Sequence, residues 1–209
     1  MNMVRRGFLL CVLVLVGSLL ATQAADAATF YVRTDGNNEN SCNTALTDSA
    51  ATAKLTINNA VTCLAAGDTL RVKSGTYAEA LLDPLPSGLT ANQPTTIEGY
   101  PAPNWPVLRP TTSTFGGIVK FIGSRSNIRI RNIVIDGSAH GTSPNLSSAV
   151  VAAPTGGIAG FTLENCELIG RTNVTDTGSA VNVGPLTVAT VRNCSIHGWR
   201  SSDSNPGAH

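Results

Sequence analysis

Ile130-Arg131-Asn132-Ile133-Val134-Ile135-Asp136-Gly137 is the first of three copies of one short pattern. The others are Leu163-Glu164-Asn165-Cys166-Glu167-Leu168-Ile169-Gly170 and Val191-Arg192-Asn193-Cys194-Ser195-Ile196-His197-Gly198. All fit one template: aliphatic, charged, Asn, any, any, aliphatic, any, Gly. The asparagines stand 33 and then 28 residues apart. Repeats of this length, built from short β-favouring runs, mark a solenoid in which each repeat is one coil.

Stacked coils turn equivalent positions into columns. Ile130, Leu163 and Val191 are expected to form one apolar column, and Ile135, Leu168 and Ile196 a second. Ile133, Cys166 and Cys194 fall two residues before the second column and face the same way. Asn132, Asn165 and Asn193 are expected at a turn, as a structural ladder. Asn tolerates left-handed backbone, and its amide can bond the Asn above. Gly137, Gly170 and Gly198 mark the next bend. Arg131, Glu164 and Arg192 share an outward position, which predicts a cross-strand ion-pair ladder rather than a metal site.

Outward from the repeat, strand-sized runs are read at Thr29–Arg33, Gly67–Tyr77, Thr95–Tyr100, Ile118–Ile122, Asn127–Ile135, Ala149–Val151, Gly160–Leu168, Ala180–Val183 and Thr187–Ile196. Residues 34–44 are a polar loop with an Asp35-Gly36 turn signal. Residues 83–94 are also loop-like, and Pro101–Pro110, with four prolines, reads as an extended connection. Ile57, Ala60, Val61 and Leu64 recur at helical spacing, which predicts a helix over Lys54–Ala66 stopped by Gly67. Only 13 % of residues are charged and 5 % aromatic, so the core must come from Val, Ile, Leu and Ala. The formal net charge is +1, and no basic stripe points to nucleic acid.

The first residues read as an export signal. Arg5 and Arg6 precede the uncharged apolar run Gly7–Leu20, and Ala25-Asp26-Ala27 fits a small-x-small cleavage site. That run is short of the ~20 residues needed to span a bilayer. Residues 1–27 are therefore expected to be a signal peptide and residues 28–209 one domain. The mature form would have no membrane span and would be secreted, extracellular or periplasmic.

The order strand, helix, then Gly67-Asp68-Thr69-Leu70-Arg71-Val72-Lys73-Ser74-Gly75-Thr76-Tyr77 resembles the N-terminal region of secreted right-handed parallel β-helix proteins. The Asn-containing coils look like those of the pectate-lyase-like group. The resemblance spans about residues 29–200. It implies an all-β, right-handed parallel β-helix solenoid with an N-terminal capping helix and roughly four to five coils. It further implies a carbohydrate-active protein of the polysaccharide-lyase type, acting on acidic polysaccharide by Ca²⁺-assisted β-elimination. The alternative is a non-catalytic β-helix module for polysaccharide binding, attachment or scaffolding. A glycoside hydrolase would need paired carboxylates, and no pair is evident.

Export permits disulfides. Cys42, in the loop after the first strand, and Cys63, on the helix, are expected to pair and pin the helix as an end cap. Cys166 and Cys194 are expected to be buried free thiols. Asp136, Glu164, Glu167 and Asp176 are the outward acids of the coils; Arg129, Arg131, Arg171, Arg192 and Arg200 are the outward bases. No Asp-rich cluster matches the family's calcium motif, so no catalytic or metal-binding residue is assigned, and Ca²⁺ rests on resemblance alone. His140, His197 and His209 have no recognisable partners, and His197 is expected on the surface. Asn145-Leu146-Ser147, Asn173-Val174-Thr175 and Asn193-Cys194-Ser195 match the glycosylation acceptor pattern, though Asn193 is expected to be hidden in its ladder. Ser201–His209 has no capping element, so the sequence is read as an N-terminal piece of a longer protein, monomeric if complete.

Overall fold

A computed structural model describes residues 26–82, 85–110, 117–121, 123–139, 148–152, 158–170, 179–183 and 188–198. Residues 1–25, which hold most of the expected signal peptide, and His140, Asn145, Arg171, Asn173, Asp176, Arg200 and Ser201–His209 lie outside the described residues.

The protein is mainly β. Its strands are β1 (Thr29–Val32), β2 (Thr69–Lys73), β3 (Thr76–Tyr77), β4 (Leu81–Leu82), β5 (Thr95–Tyr100), β6 (Val107–Leu108), β7 (Gly117–Phe121), β8 (Arg125–Arg131), β9 (Val134–Asp136), β10 (Ser148–Ala152), β11 (Ile158–Glu164), β12 (Glu167–Ile169), β13 (Ser179–Val183), β14 (Val188–Arg192) and β15 (Ser195–His197). They form three parallel sheets. The first has the order β1-β2-β5-β8-β11-β14, the second β3-β6-β9-β12-β15 and the third β4-β7-β10-β13. From β2 onward the chain visits the three sheets in turn and then repeats. Each circuit is one coil stacked on the last, the arrangement of a β-solenoid.

The expected columns exist and run further than the three-copy pattern reached. Phe30, Leu70, Ile97, Ile130, Leu163 and Val191 are in register through the first sheet. Tyr77, Leu108, Ile135, Leu168 and Ile196 are in register through the second. Up to Leu163 and Leu168 their side chains, with Ile118, Val119, Phe121 and Phe161, fill one continuous core. At β14 and β15 the columns meet solvent: Val191 and Ile196 are each 43 % exposed.

Four of the expected strands are each two, Gly67–Tyr77 being divided at Ser74-Gly75 and the other three at an asparagine. Asn132, Asn165 and Asn193 adopt φ of 58°, 51° and 53°, and each separates a strand of the first sheet from one of the second. A left-handed residue swings the chain through a corner that β backbone cannot make. Asn165 Nδ2 donates to Asn132 Oδ1 at 3.3 Å. Asn193, expected to be hidden, is exposed on the last described coil. One rung earlier the equivalent position is Gly99, where β5 continues without a left-handed corner and any Cβ would collide with the Asn132 carbonyl oxygen and the Pro106 ring. The proline-rich segment, read as a connection, contains β6: Val107 N donates to Gly75 O at 2.8 Å.

The helix is shorter than its periodicity suggested. An α-turn, α1, covers Ile57–Ala60 and passes into a 3-10 turn at Val61–Cys63. Lys54 instead pairs with the edge strand: its N–H donates to Tyr31 O at 3.1 Å, and its carbonyl accepts from Arg33 N at 2.9 Å. Thr56 is the N-cap and accepts from Asn59 N. The Glu79 carboxylate takes two further first-turn amides, Ile57 N at 2.7 Å and Asn58 N at 2.9 Å. Asn58, Asn59 and Thr62 are poor helix formers, and by Leu64 the backbone is extended. Cys42 and Cys63 form the expected disulfide, with Cα atoms 5.3 Å apart, anchoring this segment where Ile57, Ala60 and Val61 enter the core. Among the described residues no helix is long and apolar enough to cross a membrane.

Replacing Cys42 and Cys63 together by Ser should cost about 3 kcal/mol, for a 21-residue separation. Denaturant melts read this as a lower midpoint with a steeper slope, because the unlinked denatured chain exposes more surface. Asn132→Ala should cost about 1–2 kcal/mol through its left-handed φ, whereas Asn132→Gly should keep the corner and lose less. An equal loss in both variants would place the role of Asn132 elsewhere.

Candidate functional site

The outer face of the first sheet carries the most regular polar array among the described residues. Inward positions of β2 alternate with outward ones, and stacking repeats the outward residues coil after coil. One column reads Tyr31, Arg71, Glu98, Arg131, Glu164, Arg192. Two residues earlier lies the column Thr29, Thr69, Thr96, Arg129, Thr162, Thr190. Threonine suits such rows because its branched side chain packs well on a pleated surface.

The charged column is the ladder expected from Arg131, Glu164 and Arg192, extended by two rungs. Arg131 Nη2 lies 3.1 Å from Glu98 Oε2, and Arg192 Nη2 lies 2.9 Å from Glu164 Oε2. Each of these arginines thus reaches back to the carboxylate of the preceding coil. The hydrogen bond from Arg192, with the nearby charges of Arg129 and Arg131, holds the Glu164 carboxyl below its usual range. Arg71 lies with its guanidinium carbon 4.5 Å from the centre of the Tyr100 ring, a cation–π contact. Tyr100 in turn meets Tyr31 edge-on.

Four guanidinium groups on this face (Arg71, Arg129, Arg131 and Arg192) stand against two carboxylates, Glu98 and Glu164. Arg129 breaks the threonine column. The Nε atoms of Arg71, Arg129 and Arg131 are buried with no hydrogen-bond partner among the described residues. The stripe is therefore cationic. Sequence reading put Arg131 and Arg192 in the ladder and found Arg129, but did not place Arg71 and Glu98 there, because their two successive coils lack the Asn and depart from the template.

The other acids are engaged elsewhere. Asp136, expected to face outward into solvent, is buried at 1 % exposure at the end of β9. Arg109, its counterpart after β6, covers it: Nη2 lies 2.6 Å from Asp136 Oδ2, and Ser138 N donates to Oδ1 at 2.8 Å. Burial opposes the ionised form, but the Ser138 and Arg109 contacts outweigh it and leave the carboxyl below its ordinary value. His197 is exposed, as expected, and Nε2 lies 2.9 Å from Glu167 Oε1 of the preceding coil. Near the chain start, Arg33 grips Asp35 with two nitrogens and Asp48 with a third, and its hydrogen bond holds Asp35 down to about 2.

No three His, Cys, Asp or Glu side chains among the described residues are placed to hold one metal ion. Glu98, Glu164 and Asp136 each face an arginine, so these carboxylates do not make an oxygen-rich Ca²⁺ donor set. Searches against protein-family models, curated proteins and solved structures find no match to this chain.

Asp136→Asn should lower stability at neutral pH by about 2 kcal/mol, the scale of a charge-assisted hydrogen bond. Because the folded carboxyl titrates below its unfolded value, its contribution is present above about pH 4 and is lost as pH falls through the folded value. Urea midpoints measured at pH 7 and pH 3 should therefore lie far apart for the parent and closer together for the variant.

Proposed function

We propose that this chain is an exported right-handed parallel β-helix that binds acidic polysaccharide along the outer face of its first sheet. The observation that carries the reading is the cationic excess of the Arg71–Arg192 stripe, where four arginines stand against Glu98 and Glu164. Alternate rungs place like charges about 9.6 Å apart along the axis, a periodic row suited to a polymer that repeats its own carboxylates. Beside the row, exposed Thr190 and half-buried Thr69 and Thr162 supply hydroxyls for sugar oxygens. Right-handedness is supported by the near-universal hand of parallel β crossovers. Export is supported by the N-terminal sequence and fits the Cys42–Cys63 disulfide.

Binding does not by itself imply cleavage, since a shared fold hosts many activities. The lyase-type reading of the same surface, a β-elimination with Ca²⁺, is supported by the family resemblance. The described carboxylates supply no fitting metal site, so no step is routed through a metal here.

Polygalacturonate separates the readings. The protein should bind it, should not bind a neutral polysaccharide, and should release it as salt is raised. Arg129→Ala and Arg131→Ala should each weaken binding about tenfold. Binding without product identifies a module. Ultraviolet absorbance from unsaturated ends, lost on chelation, identifies a lyase, and reducing ends without absorbance identify a hydrolase. Equal binding to neutral and acidic chains, indifferent to salt, would refute the proposal.

A further inference from the structure

We propose that Cys166 and Cys194 form a reactive dithiol that exchanges with small disulfides and closes a covalent clasp between adjacent coils. Both are free thiols, Cys166 buried and Cys194 half-buried. They hold the same template position, immediately after the corner asparagines, in consecutive coils. Ser195 N donates to Cys166 O at 2.9 Å, so the backbone is locked in register beside the pair. Stacked strands set equivalent Cα atoms about 4.8 Å apart, inside the 4.4–6.8 Å span that a disulfide bridges. Each sulfur lies 3.3 Å from the carbonyl oxygen two residues earlier, Glu164 O for Cys166 and Arg192 O for Cys194, so the two side chains are held alike.

The pair is chemically unequal. Proximity to Cys194 and burial both hold the proton on Cys166, which is 1 % exposed, whereas Cys194 is half-buried and reachable. Cys194 is thus the accessible nucleophile and Cys166 the resolving thiol. In the first step the Cys194 thiolate attacks one sulfur of a disulfide RSSR. A Cys194–SR bond forms, the S–S bond breaks, and RS⁻ leaves and takes up a proton. In the second step Cys166 gives up its proton and attacks Cys194 Sγ, expelling the second RS⁻. Two protein thiols are oxidised, and one RSSR is reduced to two RSH. The clasp would tie the β11–β12 corner to the β14–β15 corner, where the core columns come to the surface.

The test is a time course of the full chain in oxidised glutathione, quenched with acid and mapped without reduction. Cys11 is mapped separately. The expected product is a Cys166–Cys194 linked peptide beside the intact Cys42–Cys63 pair, preceded by glutathione on Cys194. Cys166→Ser should accumulate that mixed disulfide. In Cys194→Ser, Cys166 should react at least about tenfold more slowly. Two free thiols after prolonged exposure of the parent, or modification of Cys166 first, would overturn the proposal. The order of events in the parent decides the matter even if a serine variant folds poorly.

Discussion

Everything in this molecule depends on backbone hydrogen bonds that join one coil to the next across the asparagine corners. Asn132 N donates to Glu164 O at 3.1 Å, and Asn165 N donates to Arg192 O at 3.1 Å. On the far side of the corner, Glu167 N donates to Ile133 O and Ser195 N to Cys166 O. The register is thus held on both sides of each bend. A single corner out of the left-handed region would redirect the strand that follows and break every column through it. The core, the threonine row, the charge ladder and the thiol pair all follow from this one constraint.

The charge ladder contributes more to arrangement than to stability. Exposed ion pairs are worth about 0–1 kcal/mol each. Alternation nevertheless keeps like charges from adjacent rungs, where they would destabilise the sheet. The apolar columns contribute most of the stabilisation: Leu70, Ile97, Ile130 and Leu163 are all essentially inaccessible. The outer face is therefore free to carry function, because no large share of stability rests on it.

Much of this was legible in three short copies of one pattern. The Asn corners, the aliphatic columns and the Arg131–Glu164–Arg192 alternation were all visible, because a solenoid writes its three-dimensional neighbours at nearly regular sequence intervals. Earlier coils were less legible. Val72 and Gly99 stand where the later coils have Asn, so the two coils holding Arg71 and Glu98 did not match the template. Long-range polar contacts were invisible for a different reason. Nothing local in the sequence announces that Glu79 caps the turn at Ile57, that Lys54 pairs with β1, or that Arg109 covers Asp136. The helical periodicity around Ile57 was real, but those edge contacts and weak local propensity overrode most of its expected length.

The most direct test is a spin-label distance between Thr69 and Thr190, both replaced by Cys in a background with Cys166 and Cys194 changed to Ser. These positions lie in one outward column, four rungs apart. In-register stacking predicts a single narrow distribution, consistent with backbones about 19 Å apart and the reach of the two labels. A broad distribution, or a mean far beyond that span, would contradict the stacked-coil account and with it the continuous outer face.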